Sequence, residues 1–284
     1  MSTLLSLGHG YSAQVLAAKL RPLGWRVIGT TRSATRARAF AAAGVEPLLW
    51  PGDPGPALAE ATHILISAAP DAAGDPFLRA LPQIAAAAAG WVGYLSTTGV
   101  YGDHQGAWVD ETTPLTPGSD RGRWRVLAED QWRATGLPVH MFRLAGIYGP
   151  ERGPFEKVRD GTARRVIKQG QVFSRIHVAD IAQVLMASMA RPNPGAAYNV
   201  CDDDPAPPQD VLRHAAHLLG LPDPPAVRIE DADLGPMATS FYSESKRVRN
   251  DRIKAELGVR LLYPTYRDGL AALLAAETAG LPSG

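Results

Sequence analysis

The chain opens with a short apolar run, Thr3 to Leu7, that ends in Gly8-His9-Gly10-Tyr11-Ser12-Ala13 and passes into a helical pattern from Ser12 to Leu20. Similar runs recur at Arg26–Thr30, Val45–Trp50, His63–Ser67, Trp91–Ser96 and Pro138–Leu144, with helical spacing between most of them. Apolar strands that alternate with helices are covered on both faces, which is the sequence form of a parallel sheet. The pattern predicts an α/β fold built on a doubly wound parallel sheet. The alanine run Ala85–Ala89, set between Pro82 and Gly90, reads as the end of an ordinary helix. After Tyr148-Gly149-Pro150 the rhythm changes to a helix, an expected hairpin around Lys168-Gln169-Gly170-Gln171, and a return to core spacing from Arg175 to Ala190. From Asp202 onward prolines cluster and the helices shorten, as in Val211–Leu219. Residues 1–150 and 176–203 are therefore expected to form the sheet domain, and 151–175 with 204–284 a smaller lobe over it.

The first turn carries the most specific chemistry. Gly8 permits a tight strand-to-helix turn, Gly10 lets a ligand approach the backbone, and the small Ala13 lets helix pack on strand. With Tyr11 and Ser12 in the first helical turn, whose N–H groups lack intrahelical partners, this is the geometry that receives a dinucleotide diphosphate in a Rossmann fold. NAD sites place an acid at the end of the second strand, but Arg26 to Val45 contains none; the strand ends Thr30-Thr31-Arg32. A guanidinium pairs well with a 2′-phosphate, so NADP(H) is the expected cofactor, with NAD the alternative. Arg36 and Arg38 read as exposed helix charges.

Length and charge narrow the rest. With 284 residues the chain can bury a substantial core. A net charge of +1, with both signs interspersed, leaves no electrostatic footprint for nucleic acid or an anionic membrane. The longest apolar stretch, Ile84 to Tyr94, is too short to span a bilayer, and no apolar leader precedes Thr3. A cytoplasmic protein with a small-molecule substrate is expected. The single cysteine, Cys201, excludes an internal disulfide and reads as a buried small residue. His214 and His217 have a spacing that would suit a metal only with a third ligand, so no metal site is expected.

The run Leu95-Ser96-Thr97-Thr98-Gly99-Val100-Tyr101-Gly102 resembles the extended short-chain dehydrogenase/reductases, the epimerase/dehydratase group. The segments Arg143-Leu144-Ala145-Gly146-Ile147-Tyr148-Gly149-Pro150, Arg175-Ile176-His177-Val178-Ala179-Asp180-Ile181 and Tyr198-Asn199-Val200 agree with it, in the family's order. The resemblance implies that Thr97 hydrogen-bonds the substrate oxygen. It implies that Asp53 accepts from the adenine amino group, although Pro54 removes a neighbouring N–H. By position at the end of the fourth strand, Ser67, Ala68 and Ala69 are expected to line the nicotinamide-side ribose. It also implies a homodimer through the helices around Pro82–Ala89 and Gly122–Thr135.

One departure limits what transfers. The family's Tyr-x-x-x-Lys falls on Arg121 and Arg125. A guanidinium keeps its charge at any working pH, so Arg121 can hold an anionic oxygen but cannot exchange a proton as a phenol does. Arg125 keeps a positive charge where the ribose would lie. Tyr101, Tyr148 and His104 are best placed to replace the missing acid. His177 and Asp180 read as chain anchors, and Lys246, Arg247 and Arg249 as a solvated loop. Two functions fit: a reductase, epimerase or dehydratase of a small or nucleotide-linked substrate, or a dinucleotide-binding sensor that has lost hydride chemistry.

Overall fold

The computed structural model describes residues 1–235, 239 and 241–280. Its centre is a seven-stranded parallel sheet of β1 (Thr3–Leu7), β2 (Arg26–Thr31), β3 (Glu46–Leu49), β4 (His63–Ile66), β5 (Trp91–Thr97), β7 (Val139–Leu144) and β11 (Ala197–Val200), in the order β11-β7-β5-β4-β1-β2-β3. The order reverses at β1, which pairs with β2 on one side and β4 on the other. A cleft opens beyond the strand ends at such a reversal, and it is where ligands bind in this architecture.

Strand alternation sends neighbouring residues to opposite faces. Leu4 and Leu65 join one core with Leu16 and Leu20 of α1 (Tyr11–Leu20) and Ile181 and Leu185 of α7 (Val178–Ala190). Leu5, Leu7, Ile64 and Ile66 join the other, with Tyr94 and with Trp132 of α5 (Asp120–Arg133). A third, smaller core gathers Tyr148, Phe155, Val158, Ala215, Tyr266 and Leu270 from the segments after residue 147. Ile253, Leu257 and Val259 pack instead in the first sheet core, so the helix Asp251–Leu257 lies against the sheet domain.

Two local expectations fail. The chain does turn at Lys168–Gln171, where Gln171 N–H donates to Lys168 O, but the flanking segments form no hairpin. β9 (Arg165–Ile167) pairs in parallel with β12 (Ala226–Arg228), and β10 (Arg175–His177) with β8 (Gly146–Tyr148), so each strand takes a partner distant in sequence. The alanine run does not end an α-helix either: Pro82–Ala86 forms a short 3-10 turn and Ala87 is already extended. A further short ladder joins β6 (Trp108–Val109) to β13 (Arg247–Val248), bringing the C-terminal lobe onto the loop that follows β5. Among the described residues no helix is long and apolar enough to cross a membrane.

Candidate functional site

The β1–α1 turn is built around its glycines. Gly8 has φ +79°, and a Cβ there would lie 2.9 Å from Ala68 N, so both the turn and the approach of the β4 exit demand glycine. Gly8 N–H donates to Thr30 Oγ1 at 2.7 Å, and Ser67 Oγ donates to Gly8 O, so β2 and β4 grip the turn from either side. Gly10 differs: a Cβ there would meet nothing nearer than Gly8 O at 3.6 Å. Protein packing does not require glycine at this position, whereas a ligand lying across the turn would. Gly10 is also the N-cap of α1 with no side chain capping the helix and no acid in its first turn, which leaves the first N–H groups and the positive end of the dipole for an anion. Ala13 is fully buried between helix and sheet, and Ser12 is buried beside it.

The neighbouring strand ends complete the cleft. Thr31 accepts from Ser33 N–H at 3.2 Å, while Arg32 is exposed with no hydrogen bond or ion pair among the described residues. Arg36 is an exposed helix residue, as expected, and it also donates to His9 O at 3.3 Å and lies over the Phe40 ring. His9 is 2 % exposed, packs edge-on to Phe40, and is pushed down to about 4 by burial and then by Arg36. Asp53 is exposed and accepts from Gly55 N–H at 2.8 Å through Oδ1. Ala68 is half-buried and Ala69 exposed at the β4 exit.

On the other side of the reversal, Thr97 ends β5, half-buried, and its Oγ1 accepts from Gly99 N–H at 3.2 Å. The hydroxyl proton has no protein acceptor among the described residues and can be donated outward. Arg121 lies exposed in the first turn of α5, with no hydrogen bond or ion pair among the described residues. Arg125, one turn on, donates through Nη1 to Leu95 O at 2.7 Å, Tyr94 Oη at 3.3 Å and Ala68 O at 3.5 Å. It braces the exits of β4 and β5 against each other.

Tyr101 is not a replacement acid. It is fully buried, donates to Asn199 Oδ1 at 2.7 Å and accepts from Arg143 Nη1 at 3.0 Å; burial, only partly offset by Arg143, pushes the phenol up to about 12. Its partners belong to a network under the site: Arg143 also donates to both oxygens of the buried Glu129, which accepts from Ser96 Oγ next to Thr97. Nothing in the local sequence signalled this, because the four partners come from separate elements. Tyr148 sits in the third core, edge-on to His177, and His104 is held at the Tyr101 carbonyl with its backbone N–H on Ser245 O. His177 and Asp180 are the anchors the sequence suggested: His177 caps α7 through Ala179 N–H, and Asp180 accepts from Leu262 and Tyr263 N–H. Lys246 is buried and paired with Glu244 at 2.7 Å, unlike the solvated side chain expected.

The sequence also gave no sign of what surrounds Tyr11. Its hydroxyl donates to Pro150 O at 2.8 Å, and the Arg152 guanidinium lies over its ring, 4.2 Å from the centroid.

No family model matches the chain. It is 30 % identical to Protein YeeZ of Escherichia coli K12, over 93 % of this chain and 97 % of that protein. A solved structure of a functionally unknown conserved protein from Silicibacter pomeroyi is 67 % identical, with TM-score 0.93 over 98 % of this chain and 99 % of that one. Another, described as an inferred NAD-dependent epimerase/dehydratase from Methylobacillus flagellatus, is 28 % identical with TM-score 0.73 over 98 % and 99 %. With its reversed parallel sheet, glycine turn and strand-five threonine, the chain belongs to the extended short-chain dehydrogenase/reductases of the NAD-dependent epimerase/dehydratase kind.

Proposed function

We propose that the protein is an oxidoreductase or epimerase that binds a nicotinamide dinucleotide, NADP(H) in preference to NAD(H), and acts on a small or nucleotide-linked substrate through an oxygen held by Thr97 and Arg121. The observation that carries this reading is the open Gly10 cradle at the uncapped start of α1, where no protein atom stands between the first N–H groups of the helix and a ligand. The residues fit the cofactor: Gly8 to Ala13 would hold the diphosphate, Thr31 and Arg32 the adenosine ribose and its phosphate, and Ser67 to Ala69 the nicotinamide ribose. The bound nicotinamide would supply or remove a hydride.

Thr97 spends its oxygen on Gly99 N–H and keeps its proton for the substrate oxygen. Arg121, at the exposed end of α5, can stabilise an oxyanion but cannot deliver a proton, so that proton comes from water or from the substrate. Arg125 acts on the cofactor side by fixing Ala68 rather than by donating protons. The burial of Tyr101 favours a second reading, a sensor that binds the dinucleotide without turnover.

Calorimetric titration with NADPH and NADH tests the first part. Arg32→Ala should weaken NADPH about tenfold and leave NADH unchanged; equal effects on both would remove the phosphate assignment. Sustained NADPH oxidation with a panel of carbonyl compounds separates enzyme from sensor. Thr97→Ala should lower turnover about a hundredfold with the cofactor affinity intact. An unchanged rate would take Thr97 out of the chemistry.

A further inference from the structure

The turn after β8 brings a charge to the dinucleotide cleft from the far side of the chain. Gly149 and Arg152 close it with reciprocal backbone bonds, Arg152 N–H to Gly149 O at 3.0 Å and Gly149 N–H to Arg152 O at 3.4 Å. Gly149 has φ +155°, and a Cβ there would stand 2.6 Å from Tyr11 Oη and 2.7 Å from Val178 Cγ1, so only glycine lets the turn come this close to α1. Tyr11 holds it there through its bond to Pro150 O, and the ring of Tyr11 carries the Arg152 guanidinium. Tyr11 is the first residue of α1, directly after the open Gly10 cradle. Arg152 is exposed and has no carboxylate within ion-pair distance among the described residues. A planar guanidinium held over an aromatic ring and lacking an anion is placed for bidentate pairing with phosphate oxygens.

We propose that Arg152, carried on Tyr11, is the side-chain arm of the diphosphate site, closing over a dinucleotide that the glycine turn holds from beneath. This rests on the dinucleotide reading above. It assigns a different atom group from Arg32: Arg152 recognises the diphosphate common to NADPH, NADH and ADP-ribose, and Arg32 the 2′-phosphate. This contact also explains why tyrosine suits the first position of this helix, where backbone geometry alone would accept almost any residue. Because the turn leads from β8 into the second lobe, the same contact ties the lobe's entry to the cofactor.

Calorimetric titrations of the full chain with NADPH, NADH, ADP-ribose and 2′-AMP decide the matter. Arg152→Ala should weaken the first three by about tenfold each and leave 2′-AMP, which has no diphosphate, unchanged. Arg152→Lys should recover only part of the loss, since an ammonium cannot pair bidentately. Tyr11→Ala should reproduce the Arg152→Ala pattern with ADP-ribose. Wild-type affinity of Arg152→Ala for ADP-ribose, or an equal loss for 2′-AMP, would overturn the assignment and leave the pair a surface cation–π contact. Failure of the wild-type chain to bind NADPH, NADH and ADP-ribose would overturn the dinucleotide reading itself, and Arg152 with it.

Discussion

Replacing Glu129 by glutamine keeps the shape of the side chain but removes its charge and turns one acceptor oxygen into a donor, and the cost follows from what the carboxylate holds. Glu129 is fully buried; it accepts from Arg143 Nε at 3.2 Å and Nη2 at 2.9 Å, from Arg133 at 3.0 Å, and from Ser96. Burial by itself would raise its pKa, but the Arg143 hydrogen bonds and charge, with Ser96 and Arg133, outweigh it and hold the carboxyl below its usual range. Arg143 is 3 % exposed and has no other counterion in this network, so the glutamine variant leaves a buried guanidinium unneutralised. Removing one partner of a buried pair costs about 3–5 kcal/mol, and glutamine, which still accepts one hydrogen bond, should fall at the lower end. In a protein of this size, with an unfolding entropy of about 0.6 kcal/mol/K, about 3 kcal/mol lowers Tm by roughly 5 °C. Differential scanning calorimetry at pH 7 measures it directly. Glu129→Leu combined with Arg143→Leu should be less destabilised than the sum of the two singles, since the orphaned charge is gone. A depressed carboxyl stabilises above its unfolded pKa and loses that contribution as pH falls through the folded value, so the gap between wild type and Glu129→Gln should narrow below about pH 4. A Tm within about 2 °C of wild type at pH 7 would refute the reasoning, because it would mean that Arg143 finds its compensation elsewhere.

Other outcomes follow from the glycine turn and the buried histidines. Gly10→Ala should abolish dinucleotide binding by calorimetry while leaving Tm within a few degrees, whereas Gly8→Ala, strained at φ +79° and pressed on Ala68 N, should lose stability as well as binding; the same Tm for both would sink the distinction. His177 is held down to about 4, mainly by burial and then by Lys19, against 6.5 in the free side chain. Between pH 6.5 and 4 the unfolded chain takes up a proton there that the folded chain refuses, so this group costs stability as pH falls, up to about 3 kcal/mol. His177→Asn, which keeps an acceptor for Ala179 N–H, should therefore gain on wild type progressively from pH 6.5 to 4 in urea melts. A difference that does not vary with pH would place the proton elsewhere.

The regular part of the molecule was legible because its signal is local. Alternating apolar runs and helical spacing located β1 to β5 and β7 to within a residue or two, and Gly8-His9-Gly10-Tyr11-Ser12-Ala13 placed the turn between β1 and α1 before any strand was paired. What escaped is held by contacts distant in sequence. β9 and β10 flank one tight turn and so looked like a hairpin, but each has a longer-range parallel partner. Tyr101 reads from the sequence as a candidate acid near Thr97, but the residues that close on its hydroxyl, Arg143 and Asn199, come from β7 and β11 and leave no local signal. Arg152 had no motif to mark it, since its meaning depends on a ring more than a hundred residues earlier.

The short ladder between Trp108–Val109 and Arg247–Val248 bears on how the protein is made. A ribosome that has finished Val200 has synthesised every strand of the central sheet, and the β1–α1 turn is already gripped by Thr30 and Ser67. The contacts that hold Asp103 and His104 do not yet exist, because Ser245, whose backbone bonds to both, has still to be translated. Domains fold as units in the order they emerge. Every strand around the β1–α1 turn is thus made before the segment that holds Asp103 and His104, but the first sheet core is complete only when Ile253, Leu257 and Val259 have followed it, so the sheet domain closes on the last part of the chain to be synthesised.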